Sequence, residues 1–61
     1  MYKKFADLLE KENKTAYRVS KDTGINESTL SQWKSGRSEP KIDKLKKIAD
    51  YFGVNVDYFV D

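Results

Sequence analysis

A short run of the chain, from 24 to 36, carries a set of polar side chains that differs from the polar residues elsewhere. It reads GINESTLSQWKSG, and most of its polar residues are neutral amides and hydroxyls: Asn26, Ser28, Ser31, Gln32 and Ser35. The other segments rely mainly on Glu, Asp and Lys. Amides and hydroxyls both donate and accept hydrogen bonds, so such a set can recognise another polar surface by its pattern of donors and acceptors. We take it as the first candidate for a binding face.

The sequence contains few residues that could serve in catalysis or as metal ligands. The 61 residues include no Cys and no His, which excludes disulfides and the Cys/His spacings of zinc sites. No pair of carboxylates stands at helical spacing beside a general acid, so there is no credible catalytic constellation. We expect a protein that is not an enzyme, has no metal or other cofactor and takes no small-molecule substrate.

Charge is distributed unevenly, although the formal net charge is only +2. The segment 34–47 sets six basic residues against two acidic ones: Lys34, Arg37, Lys41, Lys44, Lys46 and Lys47 against Glu39 and Asp43. The segment 50–61 has three acids and no base. A basic stripe beside an acidic end can steer a polyanion to one side of the molecule. A solvated lysine-rich helix face gives the same pattern, and charge alone does not separate the two interpretations.

Apolar residues recur at helical spacing through most of the chain, which predicts an all-α fold. Thr15, Asn26 and Asn55 stand where helix N-caps are expected, and Gly24, Gly36 and Gly53 stand just past predicted C-termini. We predict five helices, at 2–12, 16–23, 27–35, 41–52 and 56–60.

The predicted core is small, because a chain of this length buries only about 60% of its unfolded surface. We expect it to contain Phe5, Leu8, Leu9, Val19, Ile25, Leu30, Trp33, Leu45, Ile48, Ala49, Phe52 and Phe59. Trp33 is expected to pack against Pro40 and the fourth helix rather than to stack on a ligand. No apolar run approaches the ~20 residues of a membrane span, and no secretory leader is visible. We therefore expect a cytoplasmic protein with no membrane partner.

The second and third helices, separated by Thr23-Gly24-Ile25, match a helix-turn-helix. Ser20 is small enough for the point where the helices cross, and Gly24 tolerates the positive φ of the turn. At about 100° per residue, Ser28, Gln32 and Ser35 lie nearly opposite Leu30 on the third helix. The polar set is thus the outer face of a helix whose inner face is apolar.

The chain resembles the phage-repressor, Cro/cI-like, XRE-type family of helix-turn-helix domains. The resemblance runs through TAYRVSKDTGINESTLSQWKSGRSEPKIDKLKKIADYFGVNVDYFV, residues 15–60. Its most specific part runs from Trp33 through Gly36 and Pro40 to Leu45, Ile48, Ala49 and Phe52-Gly53-Val54. It implies one DNA-binding domain over 1–61, with the helix-turn-helix at about 16–35 in a compact five-helix bundle of the lambda-repressor-like type. It also implies that the third helix enters the major groove of double-stranded DNA, usually as a homodimer on a palindromic operator.

The resemblance further implies roles for individual residues. Base edges would be read by Asn26, Glu27, Ser28, Ser31 and Gln32. Phosphates would be bound by Thr15, Ala16, Tyr17, Arg18, Lys34, Ser35, Arg37, Ser38 and Lys41. Glu27 has a second interpretation, as a first-turn residue that stabilises the helix dipole. Two positions depart from the family: many members have Gln where Ala16 stands and Glu where Lys34 stands.

These expectations describe a sequence-specific transcriptional regulator, most simply a phage- or prophage-type repressor. The alternatives are a protein-interaction module and an antitoxin-like regulator that retain the same fold. An exposed apolar outer face would favour protein interaction, and the serine-rich face argues against it. We expect the chain to be either a minimal regulator or the N-terminal domain of a longer one. In the longer form, we expect dimer contacts around Val56, Tyr58 and Phe59.

Overall fold

The computed structural model describes residues 1–60, which form four α-helices and a short 3-10 helix. The helices are α1 (Tyr2–Lys11), α2 (Ala16–Thr23), α3 (Glu27–Ser35) and α4 (Ile42–Phe52). Strands are absent from these sixty residues, so the all-α prediction is confirmed for the described part of the chain. Each predicted boundary of the four helices lies within one residue of the observed one.

The fifth helix was predicted at 56–60, but this segment is a 3-10 helix at Val56–Phe59. The side-chain oxygen of Asn55 accepts a hydrogen bond from the amide of Asp57 at 3.0 Å. The amide of Tyr58 then bonds the Asn55 carbonyl at 2.9 Å, which is the i→i+3 pattern of a 3-10 turn. Four residues are too few to repay the cost of starting an α-helix. The bundle therefore has four α-helices rather than five.

The turn between α2 and α3 is tied by side chains as well as by its glycine. Gly24 has φ +81° and donates its amide to the Ser20 carbonyl at 2.9 Å. The Ser20 hydroxyl donates to the Ile25 carbonyl, which places Ile25 in the core with 2% of its surface exposed. The Thr23 hydroxyl donates to the Val19 carbonyl at 2.7 Å and accepts from the Ile25 amide at 3.3 Å. These bonds fix the angle at which α3 leaves α2.

The core is centred on the aromatic ring of Phe5, which is fully buried. The rings of Tyr2, Trp33 and Phe52 meet it edge to face, with centroids 5.6, 6.4 and 6.2 Å away. Phe5 thus joins α1 to both α3 and α4. The other buried apolar residues are Leu8, Val19, Ile25, Leu30, Trp33, Leu45, Ile48, Ala49 and Phe59. Of the predicted core, Leu9 and Phe52 are only partly buried and pack against its edge.

A polar contact joins α2 to α4 on the surface of the bundle. The Tyr51 hydroxyl donates to the Asp22 carboxylate, which also accepts from Nε of Arg18 at 2.9 Å. The ammonium of Lys14 lies 5.5 Å from the centroid of the Tyr51 ring. The hydrogen bond from Tyr51, and after it the one from Arg18, holds the pKa of Asp22 below its ordinary value of 3.8.

This lowered pKa makes the contact pH-dependent. An acid whose pKa is lowered on folding stabilises the fold above its unfolded pKa, and this contribution is lost as the pH falls through the folded pKa. We expect Tyr51→Phe to lower the melting temperature at pH 7, with the difference from wild type shrinking as the pH falls below about 4. Thermal unfolding followed by circular dichroism between pH 2 and pH 7 measures this difference. A difference that stays constant over the range would mean that Tyr51 acts through packing rather than through the Asp22 carboxylate.

Candidate nucleic-acid interface

Helix α3 is held by one face, and its opposite face is open. Leu30 and Trp33 are 2% and 5% exposed, and they pack into the core beneath the helix. The five predicted base-reading residues are all exposed: Asn26, Glu27, Ser28, Ser31 and Gln32. Asn26 stands at the N-cap of α3 as predicted, but its side chain makes no capping bond; its carbonyl accepts from the amides of Thr29 and Leu30. The Asn26 side-chain amide is therefore not committed to stabilising the helix.

The chain folds back on Gln32 after α3 ends. Gly36 adopts φ +80°, and the amides of Arg37 and Ser38 then donate to the Gln32 carbonyl at 3.0 and 3.5 Å. The Ser35 hydroxyl donates to the same carbonyl at 3.1 Å. The Ser38 hydroxyl donates to the side-chain oxygen Oε1 of Gln32 at 3.4 Å. One predicted base-reading residue, Gln32, therefore accepts hydrogen bonds from three predicted phosphate-binding residues: Ser35, Arg37 and Ser38.

These bonds limit what the two serines can offer to a phosphate. A serine hydroxyl has one hydrogen to donate, whereas a phosphate oxygen of DNA only accepts. The hydrogens of Ser35 and Ser38 are both given to Gln32. The long cationic side chains nearby, Lys34, Arg37 and Lys41, are all exposed. In the free protein the cations, rather than the serines, are ready to bind phosphate.

The N-terminus of α2 forms the other end of the candidate interface. The Thr15 hydroxyl oxygen caps α2 by accepting from the Arg18 amide at 3.1 Å. The amides of Ala16 and Tyr17 precede the first intrahelical hydrogen bond, so they are oriented out of the helix end. The N-terminus of α2 thus presents the capping residue Thr15 and the backbone amides of Ala16 and Tyr17, an arrangement that suits anions.

Arg18 differs from the other members of this predicted group. Its guanidinium turns along α2 to Asp22, and this bond raises its pKa above the ordinary value. The side chain is still 65% exposed, and exposed pairs of this kind contribute little to stability. A phosphate would nevertheless have to compete with Asp22 for this cation. No local sequence pattern indicates the Asp22–Tyr51 contact, because the two residues are 29 positions apart.

A shallow pocket of about 160 Å³ marks the junction of α2 and α3, lined by Tyr2, Ala16, Glu27, Leu30, Ser31 and Lys34. Both family departures, Ala16 and Lys34, lie here. The pocket shows that Glu27 and Lys34 belong to the side of α3 nearest α2, whereas Ser28 and Gln32 lie farther round the helix. Ala16 brings no side-chain donor to this junction, and Lys34 adds a cation beside it.

A larger groove of about 380 Å³ lies between α3 and the start of α4. Trp33 and Pro40 line it together, with Lys41, Asp43 and Lys44 from the beginning of α4. Because Trp33 is 5% exposed, its ring packs in the core and does not form a stacking platform.

The predicted dimer contacts need one correction. Phe59 is 4% exposed and belongs to the core. A side chain buried in the core of its own domain cannot contact a second copy, so the prediction that Phe59 forms dimer contacts is wrong. Tyr58 and Val60 are 37% and 59% exposed, and Val56 is partly buried.

The geometry defines a helix-turn-helix domain with an open third helix, and comparison with known families agrees. The family model described as Helix-turn-helix matches residues 5–59, and the chain belongs to this family, in its XRE-type, Cro/cI-like form. This is a family of DNA-binding regulatory domains and not an enzyme family. Neither a curated protein nor a solved structure matches the chain significantly. Within residues 1–60, no helix is long and apolar enough to cross a membrane, and no three acidic residues converge as metal ligands.

Proposed function

We propose that this domain binds double-stranded DNA sequence-specifically, with α3 in the major groove, and acts as a phage- or prophage-type transcriptional repressor. The observation that carries the proposal is the contrast between the two faces of α3. Leu30 and Trp33 hold the helix from beneath. The exposed side carries four neutral hydrogen-bonding residues, with one charged residue near each end of the helix: Ser28, Ser31, Gln32 and Ser35 with Glu27 and Lys34. Base edges in the major groove present patterns of donors and acceptors that such side chains can match.

Each base-reading residue has a definite chemistry in this proposal. The Gln32 amide can bond N6 and N7 of adenine at two points, and the Glu27 carboxylate can accept from N4 of cytosine. Ser28 and Ser31 can bond either class of base. Asn26 brings a second amide, which is not occupied by helix capping. Glu27 also repels phosphate, so it favours a position over a base rather than beside the backbone.

Phosphates would be bound on both sides of the groove. The amides at the N-terminus of α2 would face one strand, and Arg37 and Lys41 after α3 would face the other. Two copies on a palindromic operator, with half-sites about 34 Å apart, would provide the affinity that one small domain lacks. We therefore propose that the domain binds DNA as a homodimer.

The experiment that tests this function is a selection of bound duplexes from a random pool at two salt concentrations. A palindromic sequence that persists at the higher salt would support a dimeric, sequence-specific regulator and would identify its operator. If no sequence is enriched and all binding disappears with salt, the proposal is overturned. The interaction-module alternative would then be favoured.

The phosphate contacts can be tested by salt dependence. Each cation that neutralises a phosphate contributes a slope of about −0.9 in a plot of log binding constant against log salt concentration. We expect Arg37→Ala and Lys41→Ala each to weaken binding to all sequences alike and to reduce the slope by about that amount. Titrations at four or more salt concentrations measure both effects.

Lys46→Ala is the matched control for this test. Lys46 is exposed and lies on α4 beyond the loop, so its removal takes away the same charge without a proposed contact. If all three variants change the slope equally, the effect comes from net charge, and Arg37 and Lys41 have no specific place in the interface.

A further inference from the structure

Ser38 lies beside the outer face of α3, and its contacts point to a role different from phosphate binding. We propose that Ser38 is a positioning residue that holds the Gln32 amide in place for base reading, an inference that rests on the proposed function. The observation is the hydrogen bond from the Ser38 hydroxyl to Oε1 of Gln32, at 3.4 Å. It joins a residue of the loop to the side chain that would enter the groove.

The position of Ser38 is itself set by Gln32. The amides of Arg37 and Ser38 both donate to the Gln32 carbonyl, at 3.0 and 3.5 Å. This places the Ser38 hydroxyl next to the residue that it contacts, and Ser38 is half-buried, unlike its exposed neighbours Arg37 and Glu39. The backbone of Gln32 therefore anchors the loop, and the loop returns a hydrogen bond to the Gln32 side chain.

The Ser38 hydroxyl cannot donate to a phosphate while it donates to Gln32. Its single hydrogen is given to Oε1, so donating to a phosphate would release Gln32. By contrast, Oε1 keeps another lone pair, and the amide keeps both of its hydrogens. The two-point contact with a base therefore remains possible while the bond to Ser38 persists.

Positioning matters because glutamine is a flexible side chain. Ordering it on a base costs rotamer freedom, and a side chain that is already restrained in the free protein loses less on binding. When the base is incorrect, a restrained amide also has fewer conformations in which it can form an alternative hydrogen bond. Ser38 thereby strengthens discrimination at the base pair contacted by Gln32 without touching DNA itself.

The test compares base preferences for wild type, Ser38→Ala, Ser38→Thr and Ser35→Ala. Selected operators carrying each of the four bases at every position are titrated with each protein. We expect Ser38→Ala to lower discrimination roughly two- to tenfold at the position that Gln32→Ala also affects, as for the loss of one hydrogen bond. Ser38→Thr keeps the hydroxyl, so discrimination at this position should be close to that of the wild type. Ser35→Ala removes a hydroxyl that donates to the backbone carbonyl of Gln32 rather than to its side chain, and it should leave discrimination at that position unchanged.

A second measurement needs no DNA. In the free protein, the side-chain amide resonances of Gln32 should shift in Ser38→Ala and not in Ser35→Ala. Thermal unfolding of each variant checks that the fold is retained.

Three outcomes would overturn the inference, and they differ from one another. Equal weakening on every sequence would make Ser38 a phosphate ligand. Unchanged discrimination in Ser38→Ala would mean that the bond to Gln32 has no part in recognition. Failure of the wild-type domain to prefer any sequence would instead refute the proposed function, and this inference would fall with it.

Discussion

Leu30→Ala is expected to remove most of the stability of this domain. Truncating a buried Leu to Ala costs about 2–5 kcal/mol, and Leu30 is 2% exposed. A chain of 61 residues has a free energy of unfolding of only about 3–9 kcal/mol, at 0.05–0.15 kcal/mol per residue. Urea unfolding followed by the fluorescence of Trp33, which is buried in the same core, measures the loss.

Ile42→Ala is the control for this prediction. Ile42 is also aliphatic and helical, but 62% of its surface is exposed, so its truncation should change stability by no more than about 0.5 kcal/mol. If Leu30→Ala is as mild as the control, Leu30 does not anchor α3, and the outer face of the helix is not the one described.

Gln32→Ala has the largest expected effect on recognition. We expect discrimination at one operator position to fall by about 1–3 kcal/mol, or 5- to 150-fold, because a two-point contact with a base is lost. Binding to unrelated duplexes should hardly change, since it depends on phosphate contacts. Titration of operators that differ at single positions gives both quantities.

Gln32→Ala also removes the acceptor of Ser38 while leaving the backbone bonds of the loop in place. Stability should therefore stay close to that of the wild type. An equal loss of affinity on all sequences would show that Gln32 supports the loop or the backbone contacts and does not read a base.

Most of the fold could be predicted because the signals are local. The bounds of α2 were predicted to the residue, since Thr15 caps the helix and Gly24 adopts the left-handed conformation that ends it. Apolar spacing was enough to identify nearly all of the core. The last segment is predicted as a fifth short helix and is a 3-10 helix, because spacing alone does not separate a 3-10 turn from a short α-helix. The bond that distinguishes the two is the one from the Tyr58 amide to the Asn55 carbonyl, which spans three residues instead of four.

The candidate site was predictable in outline but not in its connections. Helical spacing predicted which residues of α3 are exposed. It contained no information on which polar groups meet across turns and between helices. The bonds of Ser38 to Gln32 and of Asp22 to both Arg18 and Tyr51 depend on how the elements pack. These bonds determine which predicted phosphate ligands are already occupied.

The Arg18–Asp22 pair has a consequence for how the domain approaches a polyanion. With Arg18 matched by Asp22, the N-terminus of α2 offers mainly backbone amides, whose attraction fades within a short distance. The long-range attraction comes from the cations at the end of α3 and in the loop after it, among them Lys34, Arg37 and Lys41. The first encounter should therefore be made by that loop, with the α2 end closing afterwards. Added salt should accordingly slow association more than it hastens release.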